Sequence, residues 1–391
     1  MSYTVGMLGP IRLADFRDHL NPGQWRDDLP IGLGGTPVNL LSGELLRRGV
    51  RLLIISLDPA VHNEIILEGE NLRICIGPFR PRRARDFFYA ECKYIRETIA
   101  REAPDVLHAQ WTYEYALAAQ ASGIPHVITA HDAPITILRH NFIPYRIART
   151  LMAYQVLRRA TRVVSVSPYV ANHIKRFMLY RGKMEVIPNG MPGYLFSKSR
   201  VERGESHGIR IATILSSWSL LKNGEAAIEA FSLFKNDFPD ARMIMFGPDY
   251  GTSEAAQKWA KDKGYDDGIE FAGRTSHQNV LDRLAIEVDI LLHPSLEEAQ
   301  PMPPIEAMAL GIPVIGGRSS GGVPWTLDGG NAGILLDVSS PKAICAGLCQ
   351  LAQSSAERKR LGMRGKALAQ ERFHISAVAD AYQKIYAELV L

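Results

Sequence analysis

The sequence predicts an α/β protein built from two doubly wound, Rossmann-like domains that face each other across a cleft. Apolar runs typical of buried strands alternate with helical stretches, and this alternation favours parallel sheets flanked by helices. The alternation is broken once, by the polar stretch 196–208, and then restarts. The length of 391 residues is sufficient for two or three domains. We therefore expect one domain over residues 1–200 and a second over residues 201–375.

The first half begins with a predicted strand at residues 3–8 and a long loop that ends in Gly32-Leu33-Gly34-Gly35. A helix is predicted over residues 38–48 and the next strand over residues 51–56. Further apolar runs have the length of buried strands at 105–108, 126–130, 162–166 and 184–187. The turn Ile187-Pro188-Asn189-Gly190 ends this series.

The second half repeats the pattern after the polar stretch, which we interpret as the linker between the domains. Strands are predicted at 209–215, 241–246, 268–271, 290–293 and 313–315, and helices near 224–235, 253–263, 278–285, 305–309 and 341–354. Ligands of doubly wound sheets bind at the carboxyl ends of the strands, where loops and helix N-termini meet. With two such domains, the cleft between them is the expected site.

Composition narrows the class of protein. Hydrophobic residues make up 46% and charged residues 22%, values that exclude disordered, collagen-like and coiled-coil chains. No apolar window reaches about 18 residues, and no basic segment precedes an apolar stretch at the N-terminus, so neither a membrane span nor a signal peptide is predicted. The sequence has four cysteines, Cys75, Cys92, Cys345 and Cys349. Their spacing indicates packed thiols in a cytoplasmic protein rather than a disulfide or a metal site.

Basic residues are concentrated in the first half. Residues 1–200 contain 26 Lys and Arg against 17 Asp and Glu, a net charge of +9, whereas residues 201–391 contain 19 against 24, a net charge of −5. Ten basic and no acidic residues lie between positions 133 and 184. This distribution suggests an anionic partner, although a solvated basic face would also explain it.

The stretch 143–160 is the candidate for such an anion-binding surface. Apolar residues recur there at helical spacing, with arginines around them: Ile143, Ile147, Leu151, Tyr154 and Leu157, with Arg146, Arg149, Arg158 and Arg159. One interpretation is an amphipathic helix packed on its own domain. The other is a helix that rests on anionic lipid headgroups.

The segment 292–316, LHPSLEEAQPMPPIEAMALGIPVIG, carries the strongest functional signal. Glu298 and Glu306 are separated by three prolines, so Glu298 is expected on a loop and Glu306 in the first turn of a helix. No Ser, Thr, Asp or Asn between 299 and 305 caps that helix, which leaves its N-terminal amides available to an anion or to ligand hydroxyls. The alternative is that Glu306 only complements the helix dipole and that Glu298 is solvated.

A Glu, seven residues and then Glu-Ala-Met-Ala-x-Gly-x-Pro-Val resembles the donor-site signature of the retaining glycosyltransferases of family 4, which have the GT-B fold. The resemblance extends over most of the chain through short motifs: Gly34-Gly35 before a helix, His131-Asp132 after a strand, Ser167 in VVSVSPYV, Ile187-Pro188-Asn189-Gly190, Lys222-Asn223, Phe246-Gly247, Gly273 in FAGR and Gly321-Gly322. The set is specific for the fold and the family but not for the sugar or the acceptor.

By this resemblance, Glu298 binds hydroxyls of the donor sugar and Glu306 binds the ribose hydroxyls of the nucleotide. Carboxylates suit both roles because they accept bidentate hydrogen bonds from vicinal diols. Lys222 would stabilise the leaving diphosphate, which would offset the cost of about 0.3–1 kcal/mol for a cation at a helix N-terminus. A solvated surface lysine is the alternative. The further donor-binding candidates are Gly34, Gly35, Ser217, Gly247, Arg274, Gln300 and Met302.

The sequence departs from the family pattern at three places. Ser217 stands where the family has an arginine that stabilises the diphosphate, so either Arg274 or Arg318 supplies that charge or the leaving group is stabilised less strongly here. Gln300-Pro301 replaces an aromatic residue and a glycine, which removes one backbone donor. Trp325 ends an altered Gly-Gly-x-Pro-Glu element. These positions support the alternative of a catalytically silent nucleotide-sugar-binding protein with the same fold.

In the first domain, Gly34-Gly35 would let the backbone approach a ligand in front of a helix. His131 lies at the expected carboxyl end of a strand, and the resemblance makes it a candidate for contacting the donor sugar or the acceptor. We therefore group it with Lys222 and Glu298 as the candidate catalytic residues. A histidine that caps the next turn together with Asp132 is the alternative.

These observations predict a cytoplasmic hexosyltransferase that moves a sugar from a nucleotide sugar to a carbohydrate or lipid-linked acceptor with retention, as in polysaccharide or glycolipid assembly. Association with an anionic membrane at its inner face is a further expectation. No Asp-x-Asp pair, zinc-type cluster, P-loop or Gly-x-Gly-x-x-Gly occurs, so no metal, no other cofactor and no nucleic acid are expected. The resemblance implies that a last helix, residues 376–391, crosses back to the N-terminal domain.

Overall fold

The computed structural model describes residues 3–201 and 208–391. The chain forms two compact units, one of Met1–Gly190 together with Ile375–Leu391 and the other of Met191–His374. Strand residues such as Val5, Met7 and Leu8 are fully buried, as expected for parallel sheets that are covered on both faces.

Among the described residues, the first unit has an eight-stranded sheet. Its strands are β1 (Thr4–Leu8), β2 (Arg51–Asp58), β3 (Ile65–Glu68), β4 (Leu72–Pro78), β5 (Val106–Gln110), β6 (His126–Ala130), β7 (Arg162–Ser165) and β8 (Lys183–Val186). Their order is β3-β4-β2-β1-β5-β6-β7-β8. All pairs are parallel except β3 with β4, an edge pair that the sequence analysis did not predict. The chain changes direction across the sheet between β1 and β5, the position where such sheets bind ligands.

The helices of the first unit are α1 (Thr36–Arg47), α2 (Tyr89–Glu102), α3 (Glu114–Ser122), α4 (Pro134–His140), α5 (Pro144–Arg159) and α6 (Pro168–Phe177), with short 3₁₀ segments at Leu13–His19 and Arg83–Asp86. Ser167 caps α6, since its hydroxyl accepts a hydrogen bond from the Val170 amide at 3.3 Å. Proline at the first position of α6 needs no amide partner there.

Helix α5 is amphipathic, but its buried face differs from the expected one. The predicted apolar stripe included Leu151 and Tyr154, and both are exposed, Leu151 at 53%. The buried face is instead made by Ala148, Met152, Ala153, Val156 and Leu157. Gln120 of α3 donates a hydrogen bond to the Val156 carbonyl at 2.8 Å, so this face lies against α3. The small alanines allow the close approach, and hydrophobicity alone did not identify them.

Among the described residues, the second unit has a six-stranded, fully parallel sheet in the order β11-β10-β9-β12-β13-β14. Its strands are β9 (Arg210–Ile214), β10 (Arg242–Phe246), β11 (Ile269–Gly273), β12 (Ile290–His293), β13 (Val314–Gly317) and β14 (Ile334–Leu336). Strand β14 was not predicted. The helices are α7 (Gly193–Ser197), α8 (Gly224–Phe234), α9 (Ala255–Lys263), α10 (His277–Glu287), α11 (Met302–Ala309), α12 (Val323–Thr326), α13 (Pro341–Ala352) and α14 (Ser355–Phe373), with a 3₁₀ segment at Asp328–Gly330.

The division between the units lies after Gly190, earlier than the expected boundary at residue 200. The Met191 amide donates to the Phe373 carbonyl at 2.6 Å, and Met191, Leu195 and Phe196 are buried in the core of the second unit. Phe196, the first residue of the predicted linker, is therefore a core residue. Residues 202–207 of that linker lie outside the described residues.

The C-terminal helix (Ile375–Val390) packs in the core of the first unit through buried apolar residues: Ile375, Val378, Ala379, Tyr382, Ile385 and Tyr386. Arg48 ties it to α1 by donating to Gln383 at 2.7 Å and to Asp380 at 2.6 Å. Phe373, two residues before this helix, ends α14 and lies in the core of the second unit. No helix in the described ranges combines the length and the apolarity that a membrane crossing requires.

Candidate functional site

The carboxyl ends of the parallel strands of the second unit gather most of the predicted donor-binding residues. They follow four different strands: Ser217 after β9, Gly247 after β10, Arg274 after β11, and both Glu298 and Gln300 after β12. Because parallel strands end at the same edge of their sheet, these residues share one edge. The strand order changes direction between β9 and β12, and the loops after these two strands carry Lys222 and Glu298.

Those two loops are joined by backbone and side-chain hydrogen bonds. The Leu296 amide donates to the Leu221 carbonyl at 2.8 Å. Asn223, in the left-handed conformation in front of α8, donates to the Pro294 carbonyl at 3.1 Å and to the Val338 carbonyl at 2.8 Å. Asparagine tolerates this conformation better than most residues, which explains the Lys222-Asn223 motif structurally. The result is a fixed separation between Lys222 and the loop after β12.

Lys222 and Glu298 form an ion pair at the centre of this edge. Lys222 Nζ lies 2.7 Å from Glu298 Oε1, and His293 Nε2 lies 3.4 Å from the same oxygen. Burial tends to raise the pKa of Glu298, but His293 and the charge of Lys222 outweigh it and lower this pKa to about 2. Glu298 is therefore an ionised hydrogen-bond acceptor at neutral pH, and Lys222 is not a solvated surface residue.

The backbone of the Glu298 loop is held by Gly322. The Gly322 amide donates to the Glu298 carbonyl at 2.7 Å. A side chain at this position would bring its Cβ to 2.1 Å from the Ala299 carbonyl oxygen, so only glycine fits. The Gly321-Gly322 motif thus positions the loop that carries Glu298.

Glu306 is buried in α11 and faces a histidine. Its Oε1 lies 2.7 Å from His277 Nε2, at the start of α10, where Ser276 caps the helix. Glu306 is the fifth residue of α11 and lies in its second turn, not in the first turn as predicted. The helix begins earlier than expected because its prolines occupy the first turn rather than precede it.

The N-terminus of α11 offers fewer amides than the sequence analysis expected. The residue before the helix is Pro301, and the next positions include Pro303 and Pro304. Since proline has no N–H, Met302 supplies the single amide among the four that an α-helix normally leaves free. Any anion here would depend on side chains more than on the helix end.

The remaining donor-site candidates differ in their surroundings. Ser217 Oγ lies 3.1 Å from Ser219 Oγ, and its carbonyl accepts a hydrogen bond from Tyr250 at 3.2 Å. Gly247 has a φ of 130°, and a Cβ there would lie 1.7 Å from the Leu215 carbonyl oxygen. Gln300 is buried. Arg274 is exposed and has no ion pair with any residue in the ranges 3–201 and 208–391.

In the first unit, Gly34, Gly35 and His131 lie at the carboxyl edge of its own sheet. Gly35 has a φ of 93°, and a Cβ there would lie 2.1 Å from the Pro10 carbonyl oxygen, just beyond β1. His131 follows β6, and its Nε2 lies 2.6 Å from Gln110 Oε1 at the end of β5. Its ring packs against Trp111 with centroids 4.3 Å apart. Burial lowers the pKa of His131 to about 3, so the ring is neutral at physiological pH.

The capping alternative for His131 and Asp132 is not observed. Helix α4 has Ala133 at its N-cap and no side-chain cap. Asp132 instead accepts a hydrogen bond from the Tyr113 hydroxyl at 2.8 Å.

Two family models match successive parts of the chain. Residues 35–192 match the model described as Glycosyltransferase Family 4, and residues 184–368 match the model described as Glycosyl transferases group 1. The chain belongs to the family 4, group 1 glycosyltransferases.

Two curated relatives of this glycosyltransferase each cover more than two thirds of the chain. N-acetyl-alpha-D-glucosaminyl L-malate synthase of Bacillus anthracis is 25% identical over 314 residues, 76% of this chain and 78% of the relative. D-inositol 3-phosphate glycosyltransferase of Segniliparus rotundus is 24% identical over 406 residues, 96% of this chain and 88% of the relative.

Solved structures show the same fold. Sucrose-phosphate synthase from Thermosynechococcus elongatus has a TM-score of 0.80 at 16% identity, with 99% of each chain covered. Anabaena HepE in complex with UDP-glucose has a TM-score of 0.69 at 15% identity, with 99% of this chain and 100% of that chain covered. The predicted GT-B fold class is confirmed.

The sequence analysis of this glycosyltransferase missed the histidines that accompany its two candidate carboxylates. His293 ends β12, and its signal was its position directly before the Pro294-Ser295 turn of the segment already singled out. His277 had a weaker signal, a serine cap in front of it. Gln110, which is hydrogen-bonded to His131, ends an apolar strand. The sequence marked it only as a polar residue at the end of a buried run.

Proposed function

We propose that this glycosyltransferase transfers a sugar from a nucleotide sugar to an acceptor hydroxyl, with retention at the anomeric carbon. The observation that carries the proposal is the pair of partnered carboxylates at one sheet edge: Glu298 with Lys222 and His293, and Glu306 with His277. Both carboxylates are held by basic groups, which suits them to accept hydrogen bonds from diols. That HepE was solved with UDP-glucose supports a nucleotide sugar as the donor.

In this proposal Glu306 binds the ribose hydroxyls and Glu298 binds the donor sugar. Lys222 Nζ donates to Oε1 of Glu298, and His293 Nε2 lies 3.4 Å from the same oxygen, so in this proposal Oε2 is the oxygen that accepts a sugar hydroxyl. In the first unit, Gly34, Gly35 and His131 are the candidates for contacting the donor sugar or the acceptor. Ser217, Gly247, Gln300 and Met302 would line the nucleotide and diphosphate.

The proposed chemistry is a front-face displacement. The bond between the anomeric carbon and the diphosphate oxygen breaks, the acceptor oxygen bonds to the same face, and its proton passes to the leaving diphosphate. No protein nucleophile is needed, so the protein acts by orienting both substrates and stabilising the diphosphate charge. We propose that no metal takes part, because the sequence has no Asp-x-Asp pair to hold one on the diphosphate.

A catalytically silent nucleotide-sugar-binding protein is the second candidate. It is favoured by Ser217 in the place of the family's arginine and by the prolines that remove amides at α11. The two candidates differ in turnover, not in binding.

The test measures binding and transfer separately over a panel of nucleotide sugars. Glu306→Gln and Glu298→Ala should weaken binding or turnover by at least tenfold while the fold is kept. Glu357→Gln, an exposed carboxylate paired with Arg360 on α14, is the matched control and should change neither. Binding without transfer for every sugar would favour the silent protein, and full activity in both site variants would remove Glu298 and Glu306 from the site.

We also propose that the acceptor is presented by an anionic membrane. The surface concerned, here the α4–α6 surface, has exposed apolar side chains next to exposed arginines: Phe142, Ile143, Leu151, Tyr154 and Phe177, with Arg139, Arg158 and Arg176. Arg139 and Arg176 both lie over the Phe177 ring, at 5.4 and 5.3 Å from its centroid. Such mixed basic and apolar surfaces bind at the headgroup level of a bilayer.

Of the four arginines of the expected rim, Arg158 lies on this surface and Arg149 does not. Arg149 is buried against the Tyr113 ring at 3.6 Å and pairs with Glu114 at 3.4 Å. Each exposed basic residue near a headgroup layer contributes about 1 kcal/mol, so the loss of one leaves enough for reversible association. A carbohydrate or lipid-linked acceptor for polysaccharide or glycolipid assembly is consistent with this placement.

A further inference from the structure

A chain of buried polar groups runs from the C-terminal helix to His131. The Tyr386 hydroxyl lies 2.6 Å from His108 Nδ1, and His108 Nε2 lies 3.0 Å from Gln110 Nε2. Gln110 Oε1 then lies 2.6 Å from His131 Nε2. Tyr386, His108 and Gln110 are almost completely inaccessible to solvent, so their hydrogen bonds must be satisfied within the protein.

The orientation of the Gln110 amide decides the direction of these hydrogen bonds. Its Nε2 lies 3.2 Å from Met7 Sδ as well as 3.0 Å from His108 Nε2. Sulfur is a weak acceptor and no donor, so an amide nitrogen fits beside Met7 and an amide oxygen does not. The Gln110 oxygen therefore faces His131, and His131 must carry a hydrogen on Nε2 to donate to it.

The same orientation assigns the proton of His108. Because the Gln110 amide donates to His108 Nε2, the neutral His108 ring carries its hydrogen on Nδ1, where the Tyr386 oxygen accepts it. Burial lowers the pKa of His108 to about 3, with the neighbouring His131 acting in the same direction. Thr129 Oγ1 lies 2.7 Å from His108 Nε2 and 2.9 Å from the Tyr382 hydroxyl. The hydroxyl of this second tyrosine of the same helix therefore connects to the chain through Thr129, while its ring packs on His108 with centroids 4.6 Å apart.

We propose that Gln110 is a positioning residue that fixes His131 in the tautomer protonated on Nε2. In this tautomer, Nδ1 of His131 accepts a hydrogen bond from a substrate hydroxyl. Tyr386 sets the tautomer of His131 through His108 and Gln110. The substrate part rests on the proposed function. Stacking against Trp111 fixes the plane of the His131 ring, and Gln110 fixes which of its edges accepts. A hydroxyl can donate to Nδ1, whereas a fluorine or hydrogen in its place cannot.

The test reads the tautomer directly. Nitrogen NMR of the full chain with ¹⁵N-labelled histidine distinguishes the two neutral tautomers, and a His131→Gln variant assigns the signal among the 11 histidines. Wild-type His131 should be protonated on Nε2 throughout pH 6–8. Gln110→Ala should give a mixture of tautomers, and Tyr386→Phe should raise the fraction protonated on Nδ1.

Tyr382→Phe is the matched control. It removes one buried tyrosine hydroxyl from the same helix, but that hydroxyl contacts Thr129 and not His108. Its loss of stability should resemble that of Tyr386→Phe, whereas the His131 tautomer should stay unchanged. Wild-type His131 protonated on Nδ1, or a tautomer indifferent to Gln110→Ala, would overturn the proposal.

A kinetic arm tests the substrate hydroxyl. Gln110→Ala should lower kcat/KM for the preferred nucleotide sugar by about three- to tenfold, the value of one neutral hydrogen bond. Donor analogues with a hydroxyl replaced by fluorine should show a smaller loss in Gln110→Ala than in the wild type at one position of the sugar. If no nucleotide sugar is turned over while the tautomers respond as expected, the proposed function fails and the positioning role of Gln110 stands.

Discussion

Removing the charge of Lys222 should raise the pKa of Glu298 and destabilise the second unit. The two side chains are largely buried and lie 2.7 Å apart. Burial opposes ionisation, but His293 and Lys222 lower the pKa of Glu298 to about 2 from its ordinary value of 4.5. This difference corresponds to about 3 kcal/mol of stability at neutral pH, because a pKa difference of one is about 1.4 kcal/mol.

The sign of the pH dependence follows from the direction of the shift. The pKa of Glu298 is lower in the folded than in the unfolded chain, so its contribution is complete above pH 4.5 and is lost as the pH falls towards 2. Lys222→Met removes one of the two groups that favour ionisation, and the pKa of Glu298 should rise by about one or more. Breaking a fully buried pair costs about 3–5 kcal/mol, and the partial exposure of this pair reduces the expected loss to about 1–3 kcal/mol.

The assay is a double-mutant cycle of Lys222→Met and Glu298→Gln, followed by urea unfolding. Tryptophan fluorescence reports on this region because Trp218 packs against Tyr250 and Trp259. The coupling free energy should be about 1–3 kcal/mol at pH 7 and should vanish near pH 2. The exposed pair of Lys93 and Glu97 is the control and should show less than about 0.5 kcal/mol. A coupling at pH 7 no larger than in the control would refute the reasoning.

Three further outcomes follow from the same structure. Transfer should survive chelation of divalent metals, and abolition by chelator with rescue by manganese would contradict the metal-free proposal. Deleting residues 376–391 should lower the melting temperature by at least about 10 °C, since several side chains worth about 1.5–3 kcal/mol each leave the core of the first unit, and an unchanged melting curve would count against this. The protein should sediment with anionic vesicles at low salt and be released at high salt. Arg139→Glu and Arg158→Glu should weaken this binding. Arg181→Glu, which lies outside the α4–α6 surface, is the control and should leave binding unchanged. Indifference to anionic vesicles at low salt would favour a soluble acceptor.

Eleven of the fourteen strands in the described residues were predicted because they are short apolar runs, whereas β3, β4 and β14 were missed. Strand β6 was predicted to the residue, and the strands that carry the candidate site were all found. The misplaced domain boundary has a physical cause. The boundary at residue 200 was misplaced because Met191 and Phe196 join the core of the second unit through contacts with residues such as Phe373, far away in sequence.

Partners in the site were harder to predict than positions. The spacing of Glu298 and Glu306 marked both carboxylates, but His277 reaches Glu306 across 29 positions and Lys222 reaches Glu298 across 76. Such contacts depend on which strands are neighbours, and periodicity does not encode this. One arginine of α5 was misplaced for a related reason: Arg149 was grouped with the arginines around the apolar residues of this helix, although the fold packs it against Tyr113.

The pairing of Lys222 has a consequence for the departing diphosphate. Lys222 and Glu298 together have no net charge, so a leaving group with two or more negative charges meets little compensation from this pair. The α11 N-terminus adds a single free amide, from Met302, and Ser217 adds no charge. The exposed cations at neighbouring strand ends are Arg274 after β11 and Arg318 after β13, on opposite sides of β9 and β12 in the sheet. If transfer occurs, we expect Arg274 or Arg318 to supply the charge that the family's arginine supplies, and this expectation bears directly on the choice between enzyme and silent binder.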